Sequence, residues 1–224
     1  MSLKENYYRV KEGIVRSAGK SGRNPEDITL VAVSKTVSVD EMLKLYDLGH
    51  TVFGENRVEE ASRKVSALPS QIKLHMIGHL QSRKAKNAVS IFDMIESVDS
   101  SGLAGEISKR CVAEGLIRDI LIEVNTSGEP QKYGFSHVNL RNSIDEIVSL
   151  KGIKVCGLMV MAPFVSNPED VRPVFRKTKE FFDELSHSCP MRYLSMGMSQ
   201  DYEVAVEEGA NIVRVGSAIF GSDR

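Results

Sequence analysis

Three short stretches carry residue types that could do chemistry together. In LVAVSKTVS at 30–38, Lys35 ends a run of small and β-branched residues. A strand interior has no use for an ammonium, so Lys35 must reach solvent or meet a group that compensates its burial. In LSMGMSQDYEVAVEEG at 194–209, Gly197 and Ser199 fall between an apolar run and a helix whose pattern starts near Gln200. Backbone N–H groups and a hydroxyl at such a junction suit an anion, although Ser199 would also serve as an ordinary helix cap. In Arg214-Val-Gly216-Ser217, the glycine lets an anion approach the backbone closely, or simply makes a turn.

An anion site and an amine together narrow the chemistry. Apolar walls around Lys35 would disfavour its ammonium form by desolvation, and a neutral amine attacks carbonyls. A phosphate pocket with a Schiff-base lysine fits a sugar-phosphate lyase of the aldolase type or a site for pyridoxal 5'-phosphate (PLP). Arg214 cannot give up its proton; set against a pyridine nitrogen it would keep that nitrogen unprotonated and the ring a weak electron sink. A salt bridge inside the fold is the alternative for Arg214, and spacing does not choose between the two.

These residues need elements that bring them to one place. Apolar runs of strand length occur at 29–35, 51–56, 73–78, 93–98, 119–125, 154–161, 192–197 and 211–216. Segments with a helical period separate them. Val39, Met42, Leu43 and Tyr46 follow the capping box Ser38-x-x-Glu41 and stop at Gly49; Leu140, Ile144, Ile147 and Val148 form a second stripe, and Val171, Val174, Phe175, Thr178 and Phe182 a third. Eight strands alternating with helices predict an α/β fold, a single (β/α)8 TIM barrel over 1–224, with parallel neighbours joined by right-handed crossovers. Only SAIFGSDR follows the last strand, so the helical pattern at 3–18 is expected to cover the wall left open there. A doubly wound open sheet is the competitor, but no G-x-G-x-x-G follows the first strand. In a barrel, the strand ends gather Lys35, Glu55, Asn56, His79, Ser195, Ser199 and Arg214 at the C-terminal rim, and the loops after strands 7 and 8 form a phosphate site.

Composition sets the outer bounds. With 42% hydrophobic and 26% charged residues among 224, the chain can fill a large core. A net charge of -1 gives no general attraction for nucleic acid or anionic membrane, and Arg83, Lys84 and Lys86 read as the wet face of a helix. The N-terminus lacks an apolar signal core and no apolar stretch would span a bilayer, so the expected location is cytoplasmic, with no membrane partner. Cys111, Cys156 and Cys189 read as reduced thiols, and the histidines show no metal-ligand spacing.

VAVSK at 31–35, FGENRVEE at 53–60, HMIGHLQSRKAKN at 75–87, GEPQKYGF at 128–135, GLMVMAP at 157–163, LSMGMSQDYEVAVEEGA at 194–210 and VRVGSAIFG at 213–221 run collinearly through the chain. Together they resemble the pyridoxal-phosphate homeostasis proteins, related in fold to the N-terminal barrel of alanine racemase. The resemblance implies a PLP-binding protein of vitamin B6 and amino-acid homeostasis, with Lys35 as the Schiff-base lysine. It also implies that Ser199, Gly216 and Ser217 hold the phosphate, that Arg214 approaches the pyridine nitrogen and that Asn56 lies near the ring. Arg57, Glu59 and Arg83 depart from the family's usual residue types, beyond the strand ends.

Racemisation needs an acid and a base on opposite faces of the substrate carbon. In alanine racemase the second group comes from a separate β-domain of the partner subunit, and here the chain ends at Arg224. The expectation is therefore a non-catalytic PLP carrier or regulator, a monomer, with apo PLP-dependent enzymes as partners. The alternatives are a PLP-dependent amino-acid enzyme with weak racemase or transaminase chemistry, or a Schiff-base sugar-phosphate lyase. His79 reads as a structural histidine and Lys132 as a solvated loop lysine or a second acceptor for PLP.

Overall fold

The structure, a computed structural model, describes residues 1–126, 128 and 133–221. The strands are β1 (Thr29–Val33), β2 (Val52–Glu55), β3 (Lys73–Met76), β4 (Met94–Val98), β5 (Arg118–Val124), β6 (Ile153–Val160), β7 (Tyr193–Ser195) and β8 (Ile212–Val215). They close in sequence order into a parallel barrel, with β8 paired back to β1 through Thr29–Ile212 and Val31–Arg214. The expected barrel is therefore the observed one, and the open sheet is excluded by the β1–β8 pairing.

The crossover helices are α2 (Val39–Tyr46), α3 (Val58–Lys64), α4 (Ala85–Ile91), α5 (Ser101–Ala113), α6 (His137–Ser149), α7 (Arg172–Ser186) and α8 (Tyr202–Glu207). Ser38 Oγ accepts the Glu41 N–H at 3.3 Å, the cap read from the sequence. Two buried stripes fall one position from expectation at their ends: Leu45 rather than Tyr46 after Met42 in α2, and Phe181 rather than Phe182 after Thr178 in α7. A 3.6-residue period leaves i+3 and i+4 equally eligible, and the tilt of each helix on the barrel decides. No helix among the described residues is long and apolar enough to cross a membrane.

Side-chain alternation divides the barrel into an outer and an inner surface. Outward residues such as Ala32, Phe53, Leu74, Ile95, Ile120, Leu158 and Val213 pack with the helices in one large apolar cluster. Val31, Met94, Leu121, Cys156, Met159 and Ile212 have the opposite phase and form a separate buried cluster, the plug of the barrel interior. A register shift in β6 between the partners of Ile120 and Leu121 brings Cys156 into that plug. Above the plug the inward positions turn polar: His75, Glu96, Glu123, Ser195 and Arg214 are all buried.

The wall after β8 is covered as the sequence suggested. Helix α9 (Ser217–Phe220) is one turn long, and α1 (Leu3–Lys20) lies over it and over α8. A complete capping box, Ser2 with Glu5, starts α1, and Tyr7, Val10, Ile14, Ser17 and Ala18 are its buried stripe. Asn6 Nδ2 donates to Ile219 O at 3.1 Å, and Arg16 pairs with Glu203 at 2.9 Å along the α1–α8 seam. The seam is tightest at Gly13, where an added Cβ would sit 2.2 Å from Tyr202 Oη.

That contact gives a test of the α1 seal. Gly13→Ala gains helix propensity but overpacks the seam, and a net loss of about 1–3 kcal/mol is expected in urea unfolding. Tyr202→Phe in the same chain should recover part of it, because it removes the closest atom. Full stability in the single variant would show that α1 stands off the barrel.

Candidate functional site

A cavity of about 490 Å³ opens at the C-terminal mouth of the barrel, a size common for small-molecule sites. Lys35, Asn56, Ser199, Arg214, Gly216 and Ser217, the six residues singled out from the sequence, all line it.

Lys35 follows β1 by two residues. Ser34 before it is clamped: its N–H donates to Gly54 O at 2.9 Å, its hydroxyl to Glu55 Oε1 at 2.6 Å, and its carbonyl accepts from Lys64 Nζ at 2.8 Å. Thr36 after it holds a left-handed backbone with φ of 64°, rare for a β-branched residue, and its hydroxyl donates to Lys35 O at 2.5 Å. The backbone on either side of the amine is thus fixed. The expectation that apolar walls desolvate Lys35 is not met: the side chain is exposed at the mouth, because the chain leaves the barrel at Ser34. Glu55, expected at the rim, instead points outward and is fully buried between the barrel and α3, bonded to Lys64 at 2.8 Å.

The loop after β7 is built around Gly197. Its φ is +89°, and a Cβ there would sit 2.5 Å from Ala205 Cβ. Met198 N–H donates to Asp201 Oδ1 at 2.6 Å, which tightens residues 198–201 into a turn and delays α8 to Tyr202 rather than Gln200. The turn presents the Ser199 hydroxyl to the end of β8, where its Oγ accepts the N–H of Gly216 at 3.1 Å and of Ala218 at 3.3 Å. A Cβ on Gly216 would lie 3.2 Å from Val33 Cβ, so this backbone stays bare. Across the mouth, Asn56 lies beside Gly78, whose loop is held by Ser97 Oγ donating to Gly78 O at 2.6 Å. Asn56 Oδ1 is buried with no hydrogen-bond partner among the described residues.

Arg214 lines the cavity floor and is held from below by the polar layer of the barrel. His75 Nδ1 donates to Glu96 Oε1 at 2.7 Å; Ser195 Oγ donates to Glu96 Oε2 at 2.6 Å and accepts a short hydrogen bond from Arg214 Nη1. Arg214 Nη2 donates to Val160 O at 2.8 Å. Burial pushes the Glu96 carboxyl up, but the hydrogen bond and charge of His75, with Arg214 and Ser195, outweigh it and hold the group below its ordinary range. Burial lowers the Arg214 guanidinium while Glu96, Glu123 and Asp201 pull it back, and a guanidinium stays charged at neutral pH. Both uses left open for Arg214 are therefore compatible with its position: it takes part in a buried network and still lines the cavity.

Glu123 and Asp201 complete the set. Burial and then the charge of Asp99 push Glu123 up to about 7, against the pull of Arg214. Burial likewise raises Asp201, which lines the cavity beside Ser199. His75, Glu96, Glu123 and Asp201 are not among the site residues expected from the sequence. A signal for three of them was present: His75 in KLHM, Glu96 in MIESV and Glu123 in ILIEV each follow an apolar residue inside a strand-length run, at the inward phase. His79, at the outer rim, bonds Asp99 at 2.9 Å and stacks on Tyr133 at 3.8 Å between ring centroids. Lys132 lies outside the described residues.

The chain is similar to several known proteins over its whole length. The sequence pattern of the family described as alanine racemase, N-terminal domain, matches residues 16–224. A pyridoxal phosphate homeostasis protein of Aquifex aeolicus is 42% identical over 99% of this chain and 98% of its own. One from Escherichia coli K12 is 32% identical over 98% and 96%. Among solved structures, PipY of Synechococcus elongatus PCC7942 with PLP bound superposes with a TM-score of 0.82 at 35% identity, over 93% of this chain and 100% of PipY. Alanine racemase of Clostridium difficile 630 shares the fold, with a TM-score of 0.75 at 14% identity over 99% of this chain and 57% of that one.

The buried carboxyl of Glu123 makes a pH-dependent contribution to stability. Its ordinary value is 4.5 and its folded value about 7, so between these pH values the folded chain holds a proton that the unfolded chain has lost. The stabilisation is complete below the unfolded value and is lost as pH rises through the folded one, a change on the order of 3 kcal/mol. Glu123→Gln should remove this decline. Urea unfolding of both proteins at pH 5 and pH 8 checks it, and parallel pH dependence in the two would show that Glu123 is not shifted.

Proposed function

The chain belongs to the pyridoxal phosphate homeostasis protein family, built on the alanine racemase N-terminal fold, and from that premise we propose that it holds PLP at the barrel mouth. The observation that carries the reading is the convergence of an amine, an anion cradle and a buried guanidinium on one cavity of about 490 Å³. Its relatives' names and the PLP-bound PipY structure support the choice of ligand.

The residues present fit such a group. Ser199 Oγ accepts two backbone N–H groups and keeps its own proton for a ligand oxygen, at a point where Gly216 leaves the backbone uncovered. Ser199, Gly216 and Ser217 would hold the phosphate. Arg214 would meet the ring nitrogen from the floor, and the unpartnered Asn56 Oδ1 offers an acceptor beside the ring. Lys35, exposed between two fixed peptide units, would be the amine that carries the cofactor. When bound, PLP supplies an aldehyde for a lysine amine and an electron-withdrawing ring. Arg214 limits that withdrawal, since a guanidinium donates a hydrogen bond to the ring nitrogen without yielding its proton.

This balance favours a carrier or regulator of PLP and of amino-acid homeostasis over a catalyst. An exposed lysine at an open mouth also suits release and transfer, with apo PLP-dependent enzymes as recipients, in a monomer of the cytoplasm. The sugar-phosphate lyase loses ground because a retro-aldol step gives a buried arginine on the floor no work.

Borohydride reduction of the PLP-loaded protein followed by peptide mapping is expected to place the label on Lys35, and Lys35→Ala should abolish the visible band. Ser199→Ala removes one hydrogen-bonding hydroxyl and should weaken PLP binding about tenfold, near 1–2 kcal/mol. Solvent deuterium exchange at Cα should stay slow and unselective across a panel of amino acids. A protein that stays colourless with excess PLP sinks the proposal; rapid exchange with one amino acid makes it an enzyme.

A further inference from the structure

We propose that Glu96, with His75 and Ser195, is a positioning unit that sets where Arg214 stands on the cavity floor. The inference rests on the reading that Arg214 faces a bound PLP ring. None of the three lines the cavity, so their influence on a ligand passes through Arg214.

The geometry is that of a spaced pair rather than a direct one. Glu96 has two oxygens and both are committed: Oε1 to His75 Nδ1 at 2.7 Å and Oε2 to Ser195 Oγ at 2.6 Å. Arg214 Nη1 stands 3.9 Å from Oε2, beyond direct hydrogen-bond reach, and meets the Ser195 hydroxyl instead. The serine has one proton and gives it to the carboxylate, which leaves its lone pairs for the guanidinium. A free glutamate would pair with arginine through two parallel bonds and draw it away from the mouth. Here His75 on β3 holds the carboxylate from one side of the barrel, and Ser195 on β7 keeps the guanidinium one hydroxyl away. Val160 O fixes the other end of the fork at 2.8 Å. The apolar plug lies beneath, so no solvent competes from below.

Glu123 and Asp201 also attract Arg214 electrostatically, but neither is hydrogen-bonded to it. Position is thus assigned to the Glu96 unit, whereas charge balance is shared by all three carboxylates.

The test follows the visible band of the PLP-loaded full-length protein and its dependence on pH. Arg214→Gln should displace the band. Glu96→Gln and Ser195→Ala should displace it in the same direction, with PLP affinity within about tenfold of wild type because the phosphate cradle is untouched. Combined with Arg214→Gln, neither should add a further displacement. Ser195→Thr, which keeps the hydroxyl, should restore the wild-type band. Thr178→Val removes a different buried hydrogen bond, that to Thr126 at 2.9 Å, and should cost stability without moving the band. If Glu96→Gln does not fold, Ser195→Ala carries the test alone, since it removes a single oxygen.

A wild-type band in Ser195→Ala and Glu96→Gln, with a displaced band in Arg214→Gln, overturns the positioning unit and leaves the cofactor reading standing. Additive displacements overturn it as well. An unmoved band in Arg214→Gln overturns both the unit and the placement of Arg214 at the ring.

Discussion

A guanidinium inside a barrel must be compensated where it stands, because little water reaches it and it cannot discharge. Arg214 is that charge, and the arrangement of the barrel's upper interior follows from it. Glu96 supplies the counter-charge from β4, His75 from β3 holds the carboxylate, and Ser195 from β7 spaces the two. Breaking a buried pair by removing one partner typically costs about 3–5 kcal/mol, so Arg214 and Glu96 depend on each other. The apolar plug makes the requirement stricter by closing the space below. Of this layer it is Arg214 that reaches the floor of the cavity.

The rim has a different logic. The clamp on Ser34, the left-handed Thr36 and the tight turn at 197–201 all fix backbone, while the groups they present stay free. Rigid peptides with an exposed amine and a hydroxyl gathering two N–H groups make a mouth that needs little rearrangement to receive a ligand. Ordering costs that would otherwise be charged to binding are met during folding.

The strands and the six cavity residues were legible because both depend on local order: apolar runs with turn residues, and polar residues where those runs stop. The floor was less legible. Glu96 and His75 lie within runs rather than at their ends, and reading only the ends hides the inward phase on which a charge must find a partner across the barrel. Glu55 shows the reverse error: it sits at a strand end, yet its odd phase turns it outward to Lys64. The exposure of Lys35 depends on where β1 stops, at Val33, and a boundary two residues off changes a sealed amine into an open one.

The seam between β1 and β8 has a temporal side. Gly216 and Ser199 face Val33 and Lys35 only after the first strand has paired with the last, and Asn6 bonds Ile219 across 213 positions. Contacts this distant in sequence form late. A chain being synthesised therefore carries Lys35 long before it owns the cradle, and the mouth of the barrel is assembled only once β8 has been made.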